Sequence, residues 1–231
     1  MTQPPFYVTP EQVMADRAEF ARAGIARGRS VIVLGYGEGI LLVADNPSSR
    51  SLNKISEIYD RIAFAGVGKY NEFENLRVAG IRYADLRGYS YDRSDVTARG
   101  LANAYAQTLG TVFTQDQKPY EVEIVVAEVG HAVAEDRIYR LAYDGSVADE
   151  RGFVAVGGDS ARLNEALDDR WHPGMDLQEA FRLAVDVLSL PGEGGTPGER
   201  IPDEALEMAV LERHRTRRCF RRITSPLRVD G

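Results

Sequence analysis

RGRSVIVLGYGEGILLVADN, Arg27 to Asn46, is the stretch that decides the fold. It sets glycines at alternate positions, Gly35, Gly37 and Gly39, between two apolar runs. A dinucleotide loop needs a strand, the glycines and then the N-terminus of a helix, whose amides and dipole hold the pyrophosphate. The residues after Gly39, GILLVAD, are again aliphatic and partly β-branched, and read as a second strand. Two apolar strands split by a Gly-rich turn make a β-hairpin, expected over Ser30 to Ala44. No helix start follows Gly39, so a nucleotide-binding module built on GYGEG is rejected. GVGKYN, Gly66 to Asn71, fails as a phosphate loop too: its first glycine lies too close to Lys69, and no Ser or Thr follows the lysine.

The chain around this hairpin has 231 residues, enough for one large domain with a full core. Its hydrophobic fraction of 44% is that of a soluble globular protein. No run approaches the ~20 apolar residues of a membrane span. The opening residues MTQPPFYVTPEQ have neither a basic nor an apolar signal region. Cys219 is the only cysteine, which excludes an internal disulfide and suits a reducing cytoplasm. A net charge of −7 argues against a nucleic-acid surface. The basic cluster ERHRTRRCFRRI, Glu212 to Ile223, reads better as a solvated or subunit-facing hairpin. Lysine occurs only at Lys54, Lys69 and Lys118, so arginine supplies the other 25 of the 28 cations.

Outside the hairpin, residues 1–8 carry two prolines and no periodicity and are expected to be mobile or extended. TPEQ starts a helix, with Thr9 as cap, Pro10 at the first helical position and Gln12 closing a capping box. Met14, Ala18, Ala21 and Ile25 share one stripe, and Gly24 and Gly28 should end the helix. Downstream of the polar loop DNPSSRSLN, KISEIYDRIAFAGVG reads as two strands. Two helices follow. Phe73, Leu76, Ala79, Gly80 and Tyr83 should face inward on the first, and Leu101, Tyr105, Thr108 and Leu109 on the second. YEVEIVVAEVG and RIYRLAYDGSVADERGFVAVGG give antiparallel strands, DSARLNEALDDRW and DLQEAFRLAVDVLSL two more helices. PGEGGTPGER is a linker, EALEMAVLERHRTRRCFRRI a closing strand hairpin, and ITSPLRVDG a polar tail expected to be disordered. Strands grouped apart from helices indicate an α+β protein, with helix layers covering two stacked sheets.

No self-sufficient active site is visible. His131, His172 and His214 are scattered without metal-binding spacing, and a single cysteine makes no zinc cluster. There is no G-x-S-x-G elbow, and Ser160 after two glycines reads as part of a helix cap. Asp168 and Asp169 read as a solvated helix face. One constellation remains: Asp45 at the end of the hairpin, Lys54 before the next strand and Gly68 after the one following. A carboxylate, a lysine and a small residue at neighbouring strand ends can converge. That arrangement resembles the N-terminal-nucleophile hydrolases, where a threonine at the start of the first strand attacks and its own α-amine is the base.

TPEQVMADRAEFARAGIARGRSVIVL, NKISEIYDRIAFAGVGKYNEFENLR and KPYEVEIVVAEVG together resemble the α subunits of the 20S proteasome, of actinobacterial type, over roughly Met1 to Ile223. The resemblance implies a four-layer α/β/β/α sandwich with an additional N-terminal helix over Thr9 to Ala23. It implies a single domain over 9–223 between a gate segment 1–8 and a tail 224–231. It also implies two inner rings of seven catalytic β subunits, capped by two outer rings of seven α subunits. With the family's hairpin aspartate on Asp45, the nucleophile position falls on Arg29. Arginine stays protonated and cannot attack. No free α-amine exists there either, so the chain alone is expected to be inert. The alternative is a free-standing N-terminal-nucleophile hydrolase. It would need Thr, Ser or Cys at position 29, and Ser30 is one residue late, its side chain reversed by strand alternation.

By the same resemblance Lys54 lines a pocket for the C-terminal carboxylate of an activator, with the Gly68 amide beside it. Phe6, Tyr7 and Val8 form the gate peptide, and Pro10 the hinge that an activator displaces. The archaeal gate's Tyr-Asp-Arg cluster is absent, so its geometry is not carried over. Lys118, Pro119 and Tyr120, in TQDQKPYE, are expected at the pore rim. The implied partners are a hexameric AAA ATPase and unfolded proteins tagged with a small disordered ubiquitin-like modifier. No cofactor, metal, nucleic acid or membrane is expected, and the compartment is the cytoplasm.

Overall fold

The structure, a computed structural model, describes residues 9–49, 51–190 and 201–224. Phe6, Tyr7 and Val8, with the rest of the gate segment, the whole of PGEGGTPGER and the tail beyond Thr224, lie outside the described residues.

Helix α1 (Pro10–Ala26) precedes the hairpin β1 (Val31–Tyr36) and β2 (Gly39–Asp45). A second hairpin, β3 (Ile55–Tyr59) and β4 (Ile62–Gly68), leads into α2 (Tyr70–Ser90) and α3 (Ala98–Gln115). Strands β5 (Val122–Glu128), β6 (Arg137–Leu141), β7 (Val147–Glu150) and β8 (Phe153–Val156) follow. Helices α4 (Ser160–Arg170) and α5 (Leu177–Leu188) come next, then β9 (Leu206–Glu212) and β10 (Phe220–Ile223). The strands form two antiparallel five-stranded sheets, β10-β9-β2-β1-β8 and β3-β4-β5-β6-β7.

The apolar runs are continuous rather than alternating because both faces of the central strands are covered. Along β1, Val31 and Val33 enter the layer between the sheets, with Ile40, Leu42, Val125 and Leu211. Ile32, Leu34 and Tyr36 point the other way, against Phe181, Ala184 and Leu163 of the α4/α5 layer. On the second sheet Phe64, Ile124 and Val126 meet Phe73, Leu101, Tyr105 and Leu109 of α2 and α3. The order is therefore helix, sheet, sheet, helix, as the α+β reading expects. The hairpin pairs Val31 with Ala44 and Tyr36 with Gly39, so Gly37 and Glu38 form the turn. Gly39 must lack a side chain, since a Cβ there would sit 1.9 Å from the Leu211 carbonyl oxygen. The glycine pattern serves strand packing.

The local readings need four corrections. Thr9 does cap α1, accepting from the Gln12 amide, but the Gln12 side chain donates forward to Asp16 (2.7 Å), so the capping box is half made. Gly24 lies inside α1, where its missing side chain leaves room for Glu121. Ala79 and Thr108 are exposed. Ala84 takes the inner place on α2, and the Thr108 hydroxyl donates to the Ala104 carbonyl. Asp159 precedes α4 without a side-chain cap bond.

Helix α1 is largely solvent-facing: Ala21 and Ile25 are buried, against Tyr143, while Met14 and Phe20 are exposed. Arg17 ties it down. Its guanidinium donates to the carbonyls of Val112, Phe113, Asp116 and Gln117, at 2.7–3.4 Å, and stacks over the Phe113 ring. Phe113 belongs to the last turn, whose carbonyls a helix end leaves open, whereas the Val112 carbonyl also accepts from the Asp116 amide.

Candidate functional site

Four strand ends meet beneath the C-terminal end of α1: the starts of β1 and β3 and the ends of β2 and β4. Here the structure brings Arg29, Asp45 and Lys54 together. Arg29 Nη1 donates to Asp45 Oδ2 at 2.7 Å. Lys54 Nζ donates to the carbonyl oxygens of Arg29 (2.6 Å) and Asp45 (3.1 Å). The lysine thus stitches the first residues of one strand to the last of the next. The Arg29 charge is matched by the aspartate. The recorded hydrogen bonds of Lys54 Nζ go to these carbonyls and not to the Ser30 hydroxyl.

Lys54 is itself held by a residue the sequence reading passed over. Glu207, buried in β9, accepts from the backbone amides of Lys54 (2.8 Å) and Ile55 (3.1 Å). It also accepts from Asn46 Nδ2 (2.7 Å) and Arg222 Nη1 (2.8 Å). A glutamate inside the apolar run LEMAVLE was the available signal, because a carboxylate buried in a sheet must be paired.

Burial lowers the Lys54 pKa from the ordinary 10.5 to about 8, partly opposed by Asp45 and Glu207. Between those values the unfolded chain binds more protons than the folded one, so this group's contribution to stability rises with pH. Relative to Lys54→Met, the chain should gain ~1–3 kcal/mol between pH 8 and 10.5, read from urea unfolding midpoints. A flat difference across that window would refute the depressed pKa.

Gly68 ends β4 beside this cluster: a Cβ on Gly28, next to Arg29, would lie 3.0 Å from the Gly68 amide nitrogen. The expected pore-rim residues differ among themselves. Lys118 donates to Glu72 (2.6 Å) and Glu121 (3.3 Å) and lies over the Phe20 ring. Both acids are buried, and Lys69 and Arg27 complete the group with Glu121 at 3.8 and 3.1 Å. Pro119 is buried, and Tyr120 is half-buried against the α2/α3 core. Lys118 and Tyr120 are thus partly exposed in this chain, and Pro119 is not. Pro10 is the first residue of α1 and exposed. No helix among the described residues is long and apolar enough to cross a membrane.

Two stacked antiparallel sheets between helix layers, with an N-terminal helix, define the N-terminal-nucleophile hydrolase architecture. The family model described as proteasome subunit matches residues 25–194. The chain belongs to the proteasome subunit family, in its actinobacterial α-subunit branch. It is 66% identical to the proteasome subunit alpha of Sanguibacter keddieii, across 98% of this chain and 88% of that one. It is 64% identical to that of Kineococcus radiotolerans, across 96% and 95%. Identity to that of Xylanimonas cellulosilytica is 67%, across 98% and 95%.

Proposed function

We propose that this chain is a catalytically silent subunit that forms the outer rings of a proteasome, stacks on catalytic β rings and controls entry to their chamber. The observation that carries this reading is the Arg29–Asp45–Lys54 cluster: the frame of a nucleophile site, closed by a cation that cannot attack. Proteasome α subunits are generally non-catalytic, and threonine-type peptidase activity belongs in this reading to the β partner. Pro10 is the hinge, residues 1–8 the gate, and Lys118 a rim charge. Lys54 and the Gly68 amide form the floor of a docking site for the C-terminal carboxylate of a hexameric AAA ATPase, which delivers tagged, unfolded proteins in the cytoplasm. Two of Lys54's three donors are used internally, which leaves one for an incoming carboxylate.

The test is native mass with fluorogenic-peptide hydrolysis, on this chain alone and co-expressed with its β partner. The chain alone should be inert, and the pair should give an active four-ring particle. Peptide cleavage by the chain alone would overturn the reading. Within the particle, Lys54→Ala should cut ATPase-stimulated protein degradation by ~10-fold or more, because one charge-assisted contact is lost at each of several coupled sites. Unstimulated peptide hydrolysis should stay within about two-fold. Undiminished ATPase stimulation would remove Lys54 from the docking site.

A further inference from the structure

A cavity of about 1050 Å³ opens at the opposite end of β1 from Arg29, beside Tyr36 and Trp171. That is close to the upper end of the ~300–1,000 Å³ typical of small-molecule sites. Arg99 reaches it from the first turn of α3, Arg137 from the start of β6 and Arg151 from the β7–β8 turn. All three are exposed, and none has an ion-pair partner among the described residues. Arg137 Nη1 donates to the carbonyls of Ala134 (3.0 Å) and Asp136 (2.8 Å), which leaves donors of its fork unspent. The carboxylates on the same walls are mostly committed. Asp136 grips Arg213 at 2.7 and 2.8 Å, and Glu150 grips Arg140 at 3.0 Å. Glu128 accepts from the Ala98 amide (2.7 Å), and Glu135 from those of His131 (2.9 Å) and Ala132 (3.2 Å). Asp149 alone of these acids has no partner among the described residues. Arg99, Arg137 and Asp149 all act on one group, the buried Tyr139. Burial raises its pKa first, Asp149 raises it further, and Arg137 and Arg99 oppose both.

Walls with more unspent guanidinium donors than unspent carboxylates suit an anion, and forks from three separate elements suit one with oxygens on several sides. A phosphate presents its oxygens tetrahedrally, and a chain of phosphates presents them across the width of a cleft. We propose that this cavity binds a polyphosphate group, its oxygens shared among Arg99, Arg137 and Arg151. A nucleoside triphosphate and an inorganic polyphosphate chain both carry this chemistry. Val133, Ile138 and the Trp171 indole line the same space and give a base an apolar flank. Asp149 is the opposing charge and holds the affinity down. The Lys54 end of the sandwich contributes nothing here, so the two sites stand or fall separately.

Trp171 is the only tryptophan of the chain, and its Nε1 is held by the Gly35 carbonyl at 2.9 Å, so its fluorescence reports on this cavity. The experiment titrates the full chain with sodium tripolyphosphate, ATP, inorganic phosphate and a hexaglutamate peptide, by Trp171 fluorescence and by calorimetry. Tripolyphosphate and ATP should bind ~10-fold tighter than inorganic phosphate or more, and added salt should weaken both. Tighter binding of ATP than of tripolyphosphate assigns the site to a nucleotide, and equal binding assigns it to the phosphate chain. Arg99→Gln and Arg151→Gln should each weaken tripolyphosphate binding ~5-fold or more. Asp149→Asn should tighten it ~3-fold, which a merely structural role would not do. Arg82→Gln, exposed on α2 and outside these walls, should change nothing. The substituted side chains are all exposed, so the variants should fold. No saturable signal by either method, inorganic phosphate binding as well as tripolyphosphate, or equal losses from Arg82→Gln and Arg99→Gln would overturn the proposal. Weaker binding by Asp149→Asn would do the same. Hexaglutamate binding tighter than tripolyphosphate would also overturn it, by assigning the cavity to an acidic protein segment.

Discussion

Replacing Glu207 by alanine should destabilise the chain by ~3–5 kcal/mol, the range for breaking a buried ion pair from one side. The carboxylate is 4% exposed and satisfies four donors, from Asn46, Lys54, Ile55 and Arg222. Its removal strands two backbone amides, takes one of two acceptors from the buried Asn46 amide, and leaves Arg222 without its counter-charge. Glu207→Gln keeps the shape and some acceptor capacity, and should cost less, ~1–3 kcal/mol. The exposed Glu165 is the control, and its alanine variant should stay within ~0.5 kcal/mol of the parent. Urea midpoints at constant m-value read all three. A loss for Glu207→Ala no larger than for Glu165→Ala would show that the hub carries no stability. Because Glu207 fixes the Lys54 backbone, the same variant should lose ATPase stimulation even where a folded particle is recovered.

Gly68→Ala is the second large effect. Gly68 sits at φ +103°, a conformation that L-residues rarely adopt. An added Cβ would also stand 1.9 Å from the Glu121 carbonyl oxygen. Both partners are backbone, so no rotamer change relieves the clash, and the end of β4 must separate from β5. The expected cost is ~3 kcal/mol or more, seen as a lowered urea midpoint or as loss of soluble protein. Gly174 separates the two causes. It has φ +93° but nothing within 4 Å of an added Cβ, so Gly174→Ala should cost only ~1 kcal/mol, from backbone conformation alone. Equal losses at the two positions would mean that the Glu121 contact relaxes freely.

The fold was legible in this sequence wherever local chemistry and burial agree. The β1–β2 hairpin announced itself because both strands are apolar on both faces and the glycines between them cannot start a helix. The start of α1 was readable from Thr9 and Pro10, since a cap is a contact over three residues. Ala79 and Thr108 were misplaced because small and polar residues fit either side of a helical stripe, and only packing chooses. The site was legible in part. Lys54 and Asp45 were singled out by their places at strand ends, and their meeting at Arg29 follows from strand pairing. The hold of Glu207 on Lys54 spans 153 residues and two sheets, which no local pattern encodes. The split among Lys118, Pro119 and Tyr120 depends on where α1 and α2 lie over their loop.

The grip of Arg17 on the end of α3 has a mechanical corollary. One guanidinium clamps two carbonyls in the last turn of α3 and two just beyond it, two turns from the first residue of α1. A force applied ahead of Thr9 is therefore grounded at that clamp, and cannot be transmitted along α1 to Arg29 without first tearing it free.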